Sequence, residues 1–585
     1  MVAKMSSILN VIFTLASIVT QSNAINGKPC PPLGAVLPAP KQPSRDVIVA
    51  EAVKALKAKF DTITSALNDS AISIGVQSIW EDAPMVNLHF TPPVKNENGT
   101  KEVNIDTIYR IGSASKVFTV LSVLQQSISF EDRVTKYLPE LSRNQKNGSD
   151  IEAVRWEEVT VGSLASHVSG IGRDMAFDIA VNPGMDSEWQ KYGLPAADPK
   201  TRPKCAGILG SKACTGEDLL RNFVNRRPQF APYTKPLYSN VGISLLELVV
   251  QNATGQTLDQ LMKKNIFDPL NMKGTSLSTK PKRDSDAFIP KGEVFYTPSL
   301  GVFDSSGGMY SSTADMLKFG KAILRNQLGL SPAQTRKWLS PTAFTSSRGQ
   351  AMGAPWEIQL ADRIAPNGRL IPVYAKAGDL GSYHAMFALV PDYDLVISVM
   401  TGGPQITQFG IQTRLTSQVL RAIVPALDAV TKKEAEAKFV GLYTDDKSNS
   451  TIKLTIDDGP GLVIANWTIK GVDVIDNFNR YTSTYNPQSP RTNYRLTGTP
   501  RLYPSNLEAG NKKAWRMYFD QVDDAQGKLY DEEVVFDDGR CVNWGSMDRF
   551  THDYLSLEEF YFTTGGDGRV QSLRPVAFEL TLGKK

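Results

Sequence analysis

From Val117 to Leu124 the chain reads Val-Phe-Thr-Val-Leu-Ser-Val-Leu, apolar on every face of the helix it would form. A helix without a water-facing side has to lie in the centre of a domain. Directly before it stands Ser113-Ala-Ser-Lys116. The three-residue spacing brings both side chains to one face of the first helical turn. Serine is a poor nucleophile until a base takes its proton. Burial and nearby positive charge lower a lysine pKa until its neutral amine can serve as that base. The free N–H groups at the start of such a helix suit the oxyanion of a tetrahedral intermediate.

Two later strings supply the remaining parts. Tyr238-Ser-Asn240 offers a phenol as second candidate proton carrier and an amide-reading side chain. Lys376-Ala-Gly378 offers a cationic anchor. No single string decides the matter, because Ser450-Thr-Ile-Lys453 repeats the first pattern and Lys318-Phe-Gly320 the third. Tyr-x-Asn occurs once among the nineteen tyrosines. Order and context carry the signal, since only Ser113 opens a buried helix just after a strand. The set points to acyl transfer through a serine ester without a histidine base.

A chain of 585 residues exceeds one compact core, so at least two domains are expected. Its net charge of +4, without a dense Lys/Arg run, argues against nucleic acid and anionic membrane as partners. Lys4, the apolar run Ile8–Val19 and Ser22-Asn23-Ala24 have the order of a secretory signal, residues 1–24. No other stretch is apolar for long enough to span a membrane. Export agrees with four cysteines, of which Cys205 and Cys214 are placed to close a local loop. Cys30 with Cys541 is then the preferred second pair among three connectivities. Asn68, Asn98, Asn147, Asn252, Asn449 and Asn466 head glycosylation sequons. No C-x-x-C pattern or metal-ligand spacing occurs, so neither a metal nor another cofactor is expected.

A Pro-rich lead-in (25–45) precedes a helix over about 46–67 and strands over 71–80 and 85–90. A short strand is expected at 107–111 and a long Pro/Gly/Cys-rich excursion at 182–233, near the mouth of the site. Helices follow at about 241–252 and 257–264. Thr313 or Asp315 can cap another helix. From Lys376 to Met400 the pattern gives two strands turning at 391–394, then a helix near 410–423. Composition changes at Lys432, where 431–438 reads as a linker or short helix. The remainder, 432–585, predicts a mostly antiparallel β-sandwich or barrel, with strand-like segments such as 451–456 and 578–582.

The segments around these strings resemble class C β-lactamases and their serine-hydrolase relatives, including penicillin-binding proteins. They are Tyr109–Thr119, Val159–Gly170, Leu237–Gly242 and Gly307–Asp315. The whole chain resembles secreted fungal members with a C-terminal β domain. The resemblance implies an α/β (α+β) catalytic domain over 46–431 with an all-helical subregion. It implies Ser113 as nucleophile, Lys116 as proton acceptor, Tyr238 as proton relay, Asn240 as amide holder and Lys376 as anchor. The N–H groups of Ser113 and Asp379 would form the oxyanion hole, with Gly378 and Asp379 lining the substrate site. Ala377 stands where the family carries a hydroxyl, and Asp379 adds a negative charge. Both disfavour a β-lactam carboxylate and favour other small or peptide-like esters and amides. His167 and His384 fall near the site and read as core or rim residues, and Met309 and Tyr310 as packing. The expectation is a secreted serine hydrolase. Its alternatives are an acyltransferase tailoring a small molecule, or a non-catalytic binding protein. Oligomeric state is not legible.

Overall fold

The computed structural model describes residues 30–143, 151–175, 186–196, 198, 205, 212–223, 226–406, 410–483, 498–520 and 543–585. The expected leader, Asn147, Cys541 and much of the 182–233 excursion lie outside the described residues. The chain divides into two units. One comprises Pro38–Ala365 with Leu370–Glu434, the other Met1–Leu37, Pro366–Arg369 and Ala435–Lys585.

The first unit is built on an eight-stranded antiparallel sheet. Its strands are β1 (Ala71–Ser78), β2 (Val86–Phe90), β5 (Ala343–Phe344), β6 (Gln350–Met352), β7 (Glu357–Ala361), β8 (Ile371–Leu380), β9 (Tyr383–Val390) and β10 (Leu395–Gly402), ordered β2-β1-β10-β9-β8-β7-β6-β5. β3 (Ile108–Arg110) and β4 (Tyr310–Ser312) pair separately. β1, β9 and β10 are buried throughout, because both faces of the sheet are covered. Alternation along β10 sorts its side chains: Leu395, Ile397 and Val399 enter one core and Val396 and Met400 the other. The first core also takes apolar residues of α1 (Val47–Thr64) and of α5 (Ile411–Phe439). The second takes α2 (Ser115–Leu124), α3 (Asn240–Thr254) and α4 (Thr313–Leu324). Gly75 lets α4 approach β1, since a Cβ there would run into Thr313 and Leu317.

α2 is as deeply buried as its sequence requires, with every residue from Ser115 to Val123 enclosed. Phe118 stacks on Phe319 of α4 with ring centroids 4.0 Å apart and meets Phe267 edge-on at 6.0 Å.

Several expectations need correction. The stretch from Lys376 to Met400 spans three strands, because a turn at Gly381, at φ +58°, separates β8 from β9. Ser312 caps α4 by accepting from the Asp315 amide, while Thr313 is already helical. The Asp315 carboxylate instead accepts from the Gly274 amide at 2.8 Å. Of the linker or short helix expected at 431–438, the segment is helical, but it is the end of α5, which continues to Phe439 with Pro425 inside it. The helix runs on through this proline because Val419, Ile423, Val424, Leu427 and Val430 keep one buried stripe on either side of it. In 578–582, Phe578 ends a short 3₁₀ turn and only Leu582 joins a strand, Leu582–Lys584.

The second unit holds a nine-stranded antiparallel sheet between Gly441 and Lys584. Ser450–Thr455 pairs on one side with Gly441–Asp445 and on the other with Leu462–Ile469, so the sheet closes into a barrel. Trp467, Trp515, Phe560 and Phe562 fill its core. Of the two β architectures expected from sequence, this is the barrel.

Truncating Phe118 to Ala empties a fully enclosed site at the α2–α4 contact. Urea denaturation of Phe118→Ala should show a loss of about 3–5 kcal/mol.

Candidate active site

Ser113 lies in a 3₁₀ turn, Gly112–Ala114, that leads into α2. Gly112 has φ +51°, and a Cβ on it would strike the Asp379 amide nitrogen. A Cβ on Gly378 would strike the Ile111 carbonyl oxygen and the Ser113 amide nitrogen. The turn and β8 therefore touch backbone to backbone, which makes the amides of Ser113 and Asp379 neighbours. β7 pairs with β8 only as far as Ala375, opposite Glu357. The third string thus begins where the strand on that side stops.

Lys116 is fully buried, at 0% exposure. Its Nζ lies 3.0 Å from Ser113 Oγ, 2.7 Å from Asn240 Oδ1 and 2.5 Å from the Ser306 carbonyl oxygen. Lys116 Nζ lies 4.8 Å from the Tyr238 ring centroid, and the phenol interacts electrostatically with both Lys116 and Ser113. Ser239 holds this string in place. It caps α3 through the Gly242 amide at 2.9 Å and donates its hydroxyl to the Gly172 carbonyl at 2.9 Å. Asn240 opens α3, and its Nδ2 donates to Asp174 Oδ1 at 2.7 Å. Arg173 ion-pairs with Asp174 at 3.1 Å and lies over the Tyr238 ring.

Lys376 is equally buried, at 1% exposure, but has a different partner. Its Nζ lies 2.5 Å from Glu357 Oε1, and Glu357 Oε2 accepts from the Ala377 amide at 3.0 Å. Ala377 thus offers its backbone to a carboxylate that the protein itself provides.

The two lysines are pushed in opposite directions. Burial holds the Lys116 amine below its usual value; the Tyr238 phenol opposes this and the Lys376 charge adds to it. Burial acts on Lys376 as well, but the Glu357 carboxylate, with the Tyr238 phenol and Asp379 adding to it, outweighs burial and holds the ammonium above its usual value. Burial raises the Tyr238 phenol, yet the charges of Lys116 and Lys376 together outweigh it and bring the phenol below its usual value.

The geometry also orders the protons on Lys116. Asn240 Oδ1 and the Ser306 carbonyl can only accept, so they take two N–H groups. In the neutral amine the lone pair is then left facing hydroxyls, Ser113 Oγ and the Tyr238 phenol. An amine arranged this way can take a proton from Ser113 and pass it on to Tyr238.

Each catalytic and substrate-binding residue proposed from sequence can be located. Ser113, Lys116, Tyr238, Asn240, Lys376 and Asp379 line or adjoin one cleft of about 990 Å³, and Gly378 lies at its strand wall. The Asp379 side chain is not bare. Its Oδ1 meets His384 Nδ1 at 2.5 Å and Gln412 Nε2 at 3.1 Å. His167 stacks on Tyr238 at 4.5 Å, and its Nδ1 accepts from the Ser239 amide at 3.1 Å. Burial and the surrounding cations hold this ring well below its usual value, hence neutral. Cys205 and Cys214 are bonded as expected. The Cys214 carbonyl accepts from Val302 at 2.8 Å, anchoring the segment that carries Phe303 and Ser306 to the cleft. Sequence reasoning missed Glu357, Arg173 and Asp174, which stand in no motif. Among the described residues no cluster of three His, Cys, Asp or Glu side chains could hold a metal.

The chain is similar to several known proteins. The β-lactamase family profile matches residues 77–417, and a β-lactamase-like C-terminal domain profile matches 431–585. The chain belongs to the β-lactamase family. A β-lactamase-like protein of Arthroderma benhamiae is 28% identical over 92% of this chain and 93% of its own length. A probable hydrolase of Cochliobolus lunatus is 26% identical over 68% of this chain and 66% of its own. A β-lactamase/D-alanine carboxypeptidase from Yersinia pestis superposes with a TM-score of 0.48 at 18% identity, covering 64% of this chain and 99% of its own. Against the family's Lys-Thr-Gly, the departure at Ala377 coincides with the carboxylate of Glu357.

Glu357→Gln leaves the buried Lys376 ammonium without its counter-charge. Urea unfolding at pH 7 should show a loss of about 3–5 kcal/mol, the cost of breaking a buried pair from one side.

Proposed function

We propose that this family member is an exported hydrolase that cleaves an ester or amide through an acyl-enzyme on Ser113. The carrying observation is the proton geometry of Lys116: two acceptor-only partners turn its lone pair toward Ser113 Oγ. In the first step Lys116 takes the hydroxyl proton while Oγ bonds to the substrate carbonyl carbon. The resulting oxyanion lies against the amides of Ser113 and Asp379. As the bond to the leaving group breaks, Tyr238 delivers a proton to the departing oxygen or nitrogen and regains one from Lys116. Water then repeats the sequence, losing a proton to the same pair and releasing a carboxylic acid with Ser113 restored.

The cleft favours substrates without a carboxylate beside the scissile bond. Glu357 already neutralises Lys376 and occupies the Ala377 amide, and Asp379 adds negative charge nearby. Phe295, Leu300 and Phe303 give one flank an apolar and aromatic character suited to an aryl or alkyl group. Export is supported by the N-terminal signal pattern, the Cys205–Cys214 bond and the exposed positions of Asn68, Asn98, Asn252 and Asn449 among the sequon asparagines. Asn466 is partly exposed. No described helix is long and apolar enough to cross a membrane.

A fluorophosphonate probe should add covalently to Ser113 and leave Ser113→Ala unmodified by intact mass. Lys116→Ala should slow labelling by about 10²–10⁴, the span of a general base; a labelled Ser113→Ala protein would end the reading. The pH profile gives a separate check. Labelling should rise through a limb below the usual lysine value, because the base is the neutral amine of Lys116. Lys376→Met removes a charge that lowers the Lys116 pKa, so the limb should move to higher pH.

A further inference from the structure

The cleft continues beyond the reacting groups along α5. Gln412, Thr413, Thr416, Ser417, Leu420 and Arg421 all line it. They form two neighbouring rows at i, i+4, i+8, so one stripe of the helix faces the groove. The opposite wall comes from β7, β8 and the segment after β7, with Leu360, Ile364 and Val373. From Gln412 to Arg421 the stripe rises about 13 Å, the length of about four residues of extended peptide.

The chemistry along the stripe is ordered. At the near end, Gln412 Nε2 donates to Asp379, the residue that follows the third string, while Gln412 Oε1 has no hydrogen-bond partner. The side chain is only 3% exposed, so an unpaired acceptor there is costly until something donates to it. Next along the stripe, the Thr416 hydroxyl donates to the Gln412 carbonyl and the Ser417 hydroxyl to the Thr413 carbonyl, each at 2.8 Å. Both hydroxyl protons are spent on the helix, and the oxygens are left to accept. At the far end Arg421 is exposed and makes no ion pair among the described residues. A row of acceptors that ends in a cation matches an extended chain of N–H donors that ends in an anion.

We propose that the groove between α5 and β8 is a subsite for a peptide-like arm of the substrate, about four residues long, whose terminal carboxylate pairs with Arg421. This rests on the reading of the cleft as a substrate site. It sets the arm's carboxylate one groove-length away from the scissile bond, where Lys376 and Glu357 do not meet it.

Equilibrium dialysis of the full-length protein against equimolar libraries of N-acetyl tetrapeptides tests the assignment, one library as free acids and one as carboxamides. Mass spectrometry of the retained peptides should show acids enriched at least about tenfold over matching amides, an effect of the size expected for a charge-assisted pair. The enrichment should be lost in Arg421→Ala and reversed in favour of amides in Arg421→Glu. Dipeptide acids should be retained no better than dipeptide amides, because they fall short of Arg421. Absence of retention, equal retention of acids and amides, or an acid preference that survives Arg421→Ala would each overturn the assignment. Fluorophosphonate labelling of Ser113 reports separately on the reading beneath it. Labelling with no acid preference removes the subsite and keeps the hydrolase; an acid preference without labelling removes the hydrolase and keeps the subsite.

Discussion

Two glycines facing each other, Gly112 and Gly378, govern the spacing of this site. Where their backbones meet there is no room for a Cβ on either. That contact sets the buried helix of Ser113 and Lys116 against the strand of Lys376 and Asp379. It also aligns two amides beside one hydroxyl, a relation that side chains of ordinary size would force apart. The helix can approach so closely because all its other faces are enclosed by apolar neighbours such as Phe319 and Phe267.

Within that frame one carboxylate separates two otherwise similar lysines. Lys116 and Lys376 are both enclosed, and both lie within about 5 Å of the Tyr238 ring centroid (4.8 and 5.2 Å). Glu357 makes Lys376 a durable cation; Lys116 touches an amide, a carbonyl and hydroxyls but no carboxylate, so burial can neutralise it. The fixed charge then serves the mobile proton, since it lowers both the Lys116 amine and the Tyr238 phenol. His167, held neutral against the phenol, stacks on this pair without adding a third charge.

What the sequence revealed and what it hid have distinct causes. Ser113, Lys116, Tyr238 and Asn240 could be read because short spacings on helix starts leave a mark. So could the buried helix, because an unbroken apolar run admits few placements. Glu357 could not: it belongs to Glu-Ile-Gln-Leu-Ala, an ordinary strand, and reaches Lys376 only through the pairing of β7 with β8. Asp174 acts through Asn240 across 66 positions of chain. The choice between linker and short helix at 431–438 stayed open because its Lys, Glu and Ala residues suit a connector as well as the end of a long helix. The division of 376–400 was misread because a turn at Gly381 and Ser382 is brief. It is held by Glu293, which accepts from the Ser382 amide at 2.9 Å, a partner remote in sequence.

Closure of the C-terminal sheet carries a consequence for how that unit can be approached. The eight strands of the ring each pair on both sides. Among the described strands of this sheet, only the two-residue strand Val472–Asp473, which pairs with Leu462–Ile469 alone, therefore offers an open border for another chain to extend. Any molecule that engages the ring of described strands has to do so through side chains or through its connecting loops. Recognition there would be written in surface chemistry, and variation in those loops could alter it without disturbing the aromatic interior.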